Sequence, residues 1–252
     1  ILLDLDGVVY VGQGAVPGAV EAVAELRRLG KRLLFVTNDS RRSRREYADK
    51  LAGLGIPASP ADVLSAGAAM AAYLAGEYAL PGPKVYVSGP RALKEELAAV
   101  GLSLVEGDAG RAADIVAVGF HEGFDYRELL IATQALRRGA RLYGTNRDAI
   151  FPMPDGARPA TGPLVAAVEV GGGVQAVIVG KPELPMFEVS RRLLPAGARL
   201  AIVGDSLFSD IRGGRRAGIG TVLVMTGNTR PVDLEQADLH PDHVVPSLAG
   251  IL

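Results

Sequence analysis

The chain has no cysteine among its 252 residues, which excludes a disulfide framework and thiolate chemistry. It has almost no net charge, because 27 Lys and Arg residues oppose 28 Asp and Glu residues. We therefore expect neither a nucleic-acid partner nor an anionic membrane surface. The sequence also lacks a bilayer-spanning apolar run and a visible signal peptide. These absences are typical of a cytoplasmic protein.

What is present is an ordinary globular composition, with 48% apolar and 22% charged residues. This content suffices for a sizeable core, and the length fits one large domain or two modest ones. Lysine is scarce, and Lys181 is one of only five lysines in the chain. The chain begins at Ile1 rather than Met, and we expect a few native residues to precede it.

The first ten residues contain the most informative stretch. An apolar run from Ile1 to Leu5 predicts a buried strand of a parallel sheet, and two carboxylates, Asp4 and Asp6, lie at its end before Gly7. Neighbouring like charges need a compensating cation, and a hard divalent metal ion prefers oxygen ligands. The alternative is an acidic surface turn, because the D-x-D-G pattern is short and common.

The order of predicted elements indicates an α/β fold with a Rossmann-like parallel-sheet core and an inserted domain. Strands and helices alternate up to Pro81-Gly82-Pro83, a new alternation follows, and the first pattern resumes after Gly171-Gly172-Gly173. We predict a core domain of residues 1–80 and 176–252. Residues 81–175 would form the inserted α/β domain, with apolar strands of its own.

Four predicted strands of the core domain end in polar groups. The strand at 175–179 leads to Lys181, and the strand at 199–203 leads to Asp205. In one parallel sheet, these carboxyl ends meet at one edge, where ligands bind in open α/β folds. The converging groups are Asp4 and Asp6, Thr37 and Asn38, Lys181, and Asp205 with Asp210 close behind.

This set of groups suits phosphoryl transfer. A carboxylate can accept a phosphoryl group as an acyl phosphate, and a second carboxylate can protonate the leaving alkoxide and later activate water. A magnesium ion and a lysine neutralise the phosphoryl oxygens, while a hydroxyl and backbone N–H groups bind the remaining oxygens.

Taken together, D-x-D-G, a strand-terminal threonine, a distant lysine and G-D-S-x-x-S-D resemble the haloacid dehalogenase (HAD) superfamily of phosphatases. The resemblance is to subfamily IIA, the NagD-like branch that includes p-nitrophenyl phosphatases and phosphoglycolate phosphatases. It covers nearly the whole chain in order. The stretches that carry it are residues 4–10, 35–38, 143–148, 162–169 and 179–182.

The resemblance implies a role for each residue at the strand ends. Asp4 would be the nucleophile and a Mg²⁺ ligand. Asp6 would be the general acid and base, with its backbone carbonyl on the metal. Thr37 and Asn38 would bind the phosphoryl group through side chain and backbone, and Lys181 would neutralise the nucleophile and the phosphate.

Asp205 would complete the metal site, and Asp210 would orient metal-bound waters or Lys181. Each role has a structural alternative. Thr37 could cap a turn, Lys181 could be an ordinary solvated lysine, and Asp205 could be an Asx-turn residue. Asp210 could be the N-cap of a helix predicted at 210–217.

The inserted domain is implied to be a C2-type cap over the active site, which would exclude water and select the leaving group. Its candidates for substrate contact are Asn146, Arg147 and Asp148, in a loop after a strand, and the alternative is a plain turn. A homodimer through the cap domain is consistent with the resemblance. The chain departs from the branch at Asp39, often Asn, and at Ser206, often Arg, and neither position carries the core chemistry.

The resemblance thus implies a Mg²⁺-dependent phosphomonoesterase acting through an aspartyl-phosphate. Its substrate would be a small-molecule phosphate, such as a nucleotide, a sugar phosphate, phosphoglycolate or an aryl phosphate. One alternative is a phosphotransferase or mutase of the same fold. The other is a non-catalytic metabolite- or protein-binding module, which the presence of all the core residues disfavours.

Overall fold

A computed structural model describes residues 1–79, 82–151 and 156–252. Its contacts divide the chain into two compact units. The first unit comprises Ile1–Thr37, Arg44–Leu64 and Lys181–Leu252. The second unit comprises Asn38–Ser43 and Ser65–Gly180.

Short strands alternate with helices along the described chain. The strands are β1 (Leu2–Asp4), β2 (Tyr10–Val11), β3 (Gly14–Ala15), β4 (Leu34–Thr37), β5 (Val63–Ser65), β6 (Lys84–Ser88), β7 (Ser103–Val105), β8 (Ile115–Val118), β9 (Arg141–Gly144), β10 (Ile150–Phe151), β11 (Arg158–Pro159), β12 (Val177–Ile178), β13 (Ala201–Gly204), β14 (Gly220–Val224) and β15 (His243–Val245). The helices are α1 (Ala19–Arg28), α2 (Arg44–Gly53), α3 (Ala66–Glu77), α4 (Arg91–Ala99), α5 (Tyr126–Arg137), α6 (Thr161–Gly172), α7 (Leu184–Leu193), α8 (Arg212–Arg216) and α9 (Pro231–Glu235). In the part of the chain described, no helix has both the length and the apolar character to cross a membrane.

Local sequence signals explain where several helices begin. The Ser65 side chain accepts the backbone N–H of Ala68 at 3.2 Å and caps α3. Asp125 caps α5 in the same way, accepting the N–H of Glu128 at 2.8 Å. Each cap satisfies a backbone donor that the first helical turn leaves without a partner.

The sheet of the first unit has the order β15-β14-β13-β1-β4-β5. The central strand β1 pairs in parallel with β13 and β4, so that Leu3 lies between Val203 and Phe35 and Asp4 lies opposite Val36. Leu3, Phe35 and Val203 belong to a buried apolar cluster that fills the core of this unit. The carboxyl ends of β1, β4 and β13 therefore meet at one edge of the sheet, as predicted for a Rossmann-like core.

The second unit has its own sheet, with the order β12-β9-β8-β6-β7 and parallel pairing between neighbours. Val116, Val118 and Leu142 pack with residues of α5 and α6 in a separate apolar core. Two parallel sheets with helical crossovers confirm the predicted α/β fold class.

One strand assignment from the sequence is wrong. The strand predicted at 175–179 was placed in the sheet of the core domain, but β12 pairs with β9, so that Val177 lies opposite Tyr143. A short apolar run predicts a buried strand without specifying which sheet receives it. Lys181 therefore follows a strand of the second sheet rather than a strand of the first.

The compact units do not end where the predicted domains end. The break predicted between residues 80 and 81 lies outside the described residues. By contact, α3 groups with the second unit, which runs from Ser65 to Gly180. The domain boundaries at 81 and 175 stay a prediction.

Candidate active site

Asp4 is the last residue of β1, and only 9% of it is exposed. Its Oδ1 atom accepts the backbone N–H of Leu5 at 2.8 Å and lies 2.8 Å from Nζ of Lys181. Burial raises the pKa of Asp4 well above its usual value of 3.8, although the charge of Lys181 opposes this shift. The end of β1 thus presents a desolvated carboxyl group that is held in place by one ammonium group.

Lys181 is buried with 2% of its surface exposed, which excludes the alternative of a solvated lysine. Its Nζ atom lies 2.7 Å from Oδ1 of Asp210, as well as 2.8 Å from Asp4. Burial alone would lower the pKa of Lys181, but the two carboxylates outweigh it and raise that pKa above its usual value. This lysine is a fixed positive charge between two acidic side chains.

Asp210 is fully buried and does not cap a helix, so that alternative is wrong. It lies inside a π-helical turn, Leu207–Ile211, and Ser206 is the N-cap, with its side chain accepting the N–H of Ser209 at 3.1 Å. The predicted helix start at 210 is therefore also wrong, because the helical turn already begins at Leu207, directly after Ser206. Asp210 accepts hydrogen bonds from Lys181, from the N–H of Ser206 at 3.2 Å and from the Ser209 hydroxyl at 3.3 Å.

Asp205 follows β13 and is 1% exposed. Its Oδ2 atom accepts the backbone N–H of Asn228 at 2.6 Å, a partner 23 residues away, so this bond does not form an Asx turn. Burial and the charge of Asp210 raise the pKa of Asp205 to about 6. The hydrogen bond from the N–H of Asn228 and the charge of Lys181 lower this pKa, but by less.

Three glycines make room for these carboxylates. Only Gly7 was singled out from the sequence, whereas Gly204 was quoted as part of the G-D-S pattern. A side chain at Gly204 would overlap the carboxylate of Asp210, and one at Gly227 would overlap that of Asp205. Gly7 also closely approaches Asp205 and has φ +78°, a conformation that glycine adopts readily. The Gly204 signal was available in the G-D-S pattern, whereas nothing local marks Gly227.

The carboxylates fit a divalent metal ion. Asp4, Asp205 and Asp210 each offer an oxygen, and these oxygens all lie within 4.8 Å of one another. When ionised, three carboxyl groups carry more negative charge than the single Lys181 can neutralise. Their oxygens are the ligand type that hard cations prefer. Asp6 was predicted to reach the metal through its backbone carbonyl, and this role stays a prediction.

The Asp6 side chain is exposed, unlike the buried carboxyl groups around Lys181. The Tyr10 hydroxyl donates to its Oδ2 atom over 3.4 Å, and the two residues form a β-bridge. Tyr10 itself is buried beneath the ammonium group of Lys50, which lies 3.3 Å from the ring centroid. An exposed carboxyl group near this edge can exchange protons with a substrate and with water.

Thr37 ends β4, next to β1 in the sheet, and is 4% exposed. Since Val36 lies opposite Asp4, the register brings Thr37 to the edge where β1 ends. Thr37 thus lies on the strand that neighbours Asp4, as the strand-end argument predicted, and its role toward a phosphoryl group stays a prediction.

The remaining predicted residues lie in the second unit. Asn38 donates from Nδ2 to the carboxylate of Asp148 at 3.2 Å, and its carbonyl oxygen accepts from Nδ2 of Asn146 at 2.8 Å. Arg147 instead forms an ion pair with Glu169 of α6. The turn alternative holds in part, because Oδ1 of Asn146 accepts the N–H of Asp148 two residues on, but these side chains also make long-range bonds. Their contact with substrate stays a prediction.

Comparison with known proteins identifies relatives of this chain. Residues 1–103 match the haloacid dehalogenase-like hydrolase family, and residues 178–251 match the HAD-hydrolase-like family. Human chronophin is 41% identical over 100% of this chain and 91% of its own length. The structure of p-nitrophenyl phosphatase from Archaeoglobus fulgidus has a TM-score of 0.92 at 35% identity, covering 99% of this chain and 96% of that chain. That of a glycerol phosphate phosphatase from Mycobacterium tuberculosis, in complex with magnesium, has a TM-score of 0.90 at 34% identity, covering 99% and 75%.

The chain belongs to the haloacid dehalogenase-like hydrolases. Within that family it is a phosphatase, a phosphoric monoester hydrolase, of the subfamily IIA branch. The resemblance read from the sequence is therefore confirmed at the level of family and enzyme class.

Proposed function

We propose that this protein is a Mg²⁺-dependent phosphomonoesterase that hydrolyses a small-molecule phosphate through an aspartyl-phosphate at Asp4. The observation that carries the proposal is the buried cluster at the end of β1, where Lys181 lies between Asp4 and Asp210. A nucleophile, a fixed cation and a three-carboxylate oxygen cluster are the parts that this reaction requires.

The hydrogen bonds of Asp4 favour one of its oxygens as the attacking atom. Lys181 and the N–H of Leu5 both contact Oδ1, which fixes the orientation of the carboxylate. In the proposed first step, Oδ2 attacks phosphorus and the bond between phosphorus and the leaving oxygen breaks. Asp6, exposed at this edge, donates a proton to the departing alkoxide.

In the second step, water attacks the phosphorus of the aspartyl-phosphate while Asp6 accepts a proton from that water. The bond between phosphorus and Asp4 breaks, and inorganic phosphate leaves. Throughout, the Thr37 hydroxyl and the backbone N–H of Asn38 would bind the phosphoryl oxygens, and Lys181 would neutralise part of their charge. The enzyme returns to its starting protonation state after each turnover.

The metal would be held by carboxylates of the same cluster. Asp4, Asp205 and the backbone carbonyl of Asp6 are the proposed ligands, with Asp210 close enough to contribute or to orient a ligand. When bound, a divalent cation supplies positive charge to the phosphoryl oxygens. The magnesium complex of the mycobacterial relative supports this assignment.

The proposed substrate is a small phosphate monoester, of the nucleotide, sugar phosphate, phosphoglycolate or aryl phosphate kind. Two similar proteins are a p-nitrophenyl phosphatase and a glycerol phosphate phosphatase, which supports a small leaving group. These two phosphates also provide a convenient pair of assay substrates, because their leaving groups differ strongly in acidity.

The proposal is tested by metal removal. Treatment with a chelator should abolish phosphate release from p-nitrophenyl phosphate and from glycerol phosphate, because the cluster would then lack its main positive charge. Adding Mg²⁺ should restore release, and adding Na⁺ at equal ionic strength is the control. Release that continues unchanged in chelator would contradict the proposal.

The role of Asp6 predicts a dependence on the leaving group. In Asp6→Asn, kcat/KM for glycerol phosphate should fall by a factor on the order of 10²–10⁴, the usual contribution of general acid–base catalysis. The fall for p-nitrophenyl phosphate should be much smaller, since nitrophenolate leaves without protonation. We compare kcat/KM because it reports phosphorylation of the enzyme rather than the later hydrolysis.

A matched control for this prediction is Asp49→Asn. Asp49 is a carboxylate of the same unit whose side chain is 74% exposed, in helix α2. Its replacement should leave both substrates unaffected. Equal losses on the two substrates in Asp6→Asn would show that Asp6 is not the general acid.

A further inference from the structure

The loop that follows β9 contacts two other stretches of the second unit, and both of them border catalytic residues. One stretch begins at Asn38, the residue after Thr37. The other ends at Gly180, the residue before Lys181. We call residues 145–148 of this loop the 145–148 segment.

The contact with Asn38 is a closed ring of hydrogen bonds among three residues. Asn146 donates from Nδ2 to the carbonyl oxygen of Asn38 at 2.8 Å, and its Oδ1 atom accepts the N–H of Asp148 at 3.0 Å. Asp148 in turn accepts from Nδ2 of Asn38 at 3.2 Å. Both the backbone and the side chain of Asn38 are therefore fixed by residues 108 and 110 positions away.

The contact with Gly180 is made by backbone atoms. The N–H of Gly180 donates to the carbonyl oxygen of Thr145 at 2.8 Å. The N–H of Val179 donates to the carbonyl oxygen of Gly144 at 3.0 Å. A side chain at position 180 would overlap the Thr145 carbonyl and approach Oδ1 of Asn38. Glycine is thus required here by the close packing of Gly180, Thr145 and Asn38.

The burial and polarity of the 145–148 segment favour a structural link over a substrate contact. Thr145 is fully buried and Asn146 is 4% exposed, and the Asn146 amide has partners at both its nitrogen and its oxygen. A buried amide with both ends occupied has a defined orientation. A hydrogen bond to the Asp148 carboxylate is also stronger than one between neutral groups.

We propose that the 145–148 segment is a positioning element for phosphoryl transfer. Asn146 and Asp148 fix the peptide that follows Thr37, and Thr145 fixes the peptide that precedes Lys181. These residues act on the phosphoryl group through Asn38 and Gly180, whereas direct contact with the leaving group is not required. The inference rests on the proposed roles of Thr37, Asn38 and Lys181.

The test is Asp148→Ala, assayed with p-nitrophenyl phosphate, glycerol phosphate and inorganic phosphate as a competitive inhibitor. Losing one hydrogen bond to a charged group should raise the inhibition constant of phosphate about 10-fold to 100-fold. Phosphate reports on the phosphoryl site alone, because it contains no leaving group. The KM values of both substrates should rise by the same factor, and kcat should fall on both. Asp148→Asn keeps an acceptor for Asn38 and should recover most of the loss.

Asp108→Ala is the matched control, because Asp108 is a carboxylate of the same unit whose side chain is 63% exposed and pairs with Arg111. It should leave the inhibition constant of phosphate unchanged. The wild-type enzyme in the same assays reports separately on the proposed function, which fails if metal-dependent phosphate release is absent.

Two results would overturn the inference in an active enzyme. A rise in KM for one substrate only, with an unchanged inhibition constant for phosphate, would show that Asp148 contacts the leaving group. A lower kcat with unchanged KM and inhibition constants would show a purely structural role, since a smaller folded fraction lowers only the apparent turnover.

Discussion

Asp4→Asn should lower the turnover of every phosphate monoester by a factor on the order of 10⁴ or more, because it removes the proposed nucleophile without changing the size of the side chain. An amide oxygen at this position can still accept the N–H of Leu5, as Oδ1 of Asp4 does at 2.8 Å. The site should therefore keep its shape while losing covalent catalysis. The measurement is phosphate release with saturating Mg²⁺.

A second readout identifies the intermediate itself. Rapid acid quenching of the wild-type enzyme with a phosphorus-labelled substrate should trap label on the protein, and Asp4→Asn should trap none. Asp62→Asn is a control, since Asp62 lies outside the cluster and accepts from Ser59 at a 3₁₀ turn. Turnover in Asp4→Asn above about 1% of wild type would rule out Asp4 as the nucleophile, given the size of nucleophile effects.

The strand-end argument located much of this site from the sequence for a physical reason. Asp4, Thr37 and Asp205 each follow a short apolar run, and such runs are strands of the first sheet. Parallel pairing then brings their carboxyl ends together whatever the detailed register is. Only the pattern of apolar strands and polar ends was needed for this part.

Lys181 shows the limit of the same argument. The lysine was assigned correctly to the cluster with Asp4, but the strand before it, β12, belongs to the second sheet. The position of Lys181 depends on the backbone contact of Gly180 with Thr145, and the sequence pattern does not predict this contact. The contact of Lys181 with Asp4 was thus predicted through an incorrect strand, and the proposed role of Lys181 comes from the family resemblance.

Contacts between distant residues were the part that the sequence could not predict. Asn38 and Asp148 are 110 positions apart, and each reads locally as a turn residue. One of the glycines that accommodate Asp205 is likewise remote from it in sequence, at position 227. Such contacts are set by how loops pack, whereas strands and helices follow from local periodicity.

The cluster around Lys181 makes a stability prediction as well as a catalytic one. Lys181→Met keeps most of the side-chain volume but leaves Asp4 and Asp210 without their common cation. Near neutral pH, the free energy of unfolding should fall by about 3–5 kcal/mol, the usual cost of removing one partner from a buried ion pair. Turnover should fall by a factor on the order of 10³, because the phosphoryl oxygens lose a preorganised charge.

This loss of stability should depend on pH, with a sign that follows from Asp4. Burial already holds the pKa of Asp4 well above 3.8 in the folded protein, and removing Lys181 raises it further, since Lys181 lowers it. Between the unfolded and folded pKa values, the folded state binds more protons than the unfolded state. The stability of Lys181→Met therefore falls as the pH rises through the folded pKa of Asp4, and it is regained on acidification.

The measurement is the urea midpoint of metal-free wild type and Lys181→Met at about pH 5 and about pH 8, on either side of the region where buried carboxyl groups titrate. The difference between the two proteins should be larger at the higher pH. Lys31→Met, which replaces an exposed lysine of the same unit, should show no such difference. An equal loss at both pH values would mean that Asp4 does not carry the unpaired charge, and no loss at either would mean that Lys181 does not compensate the buried carboxylates.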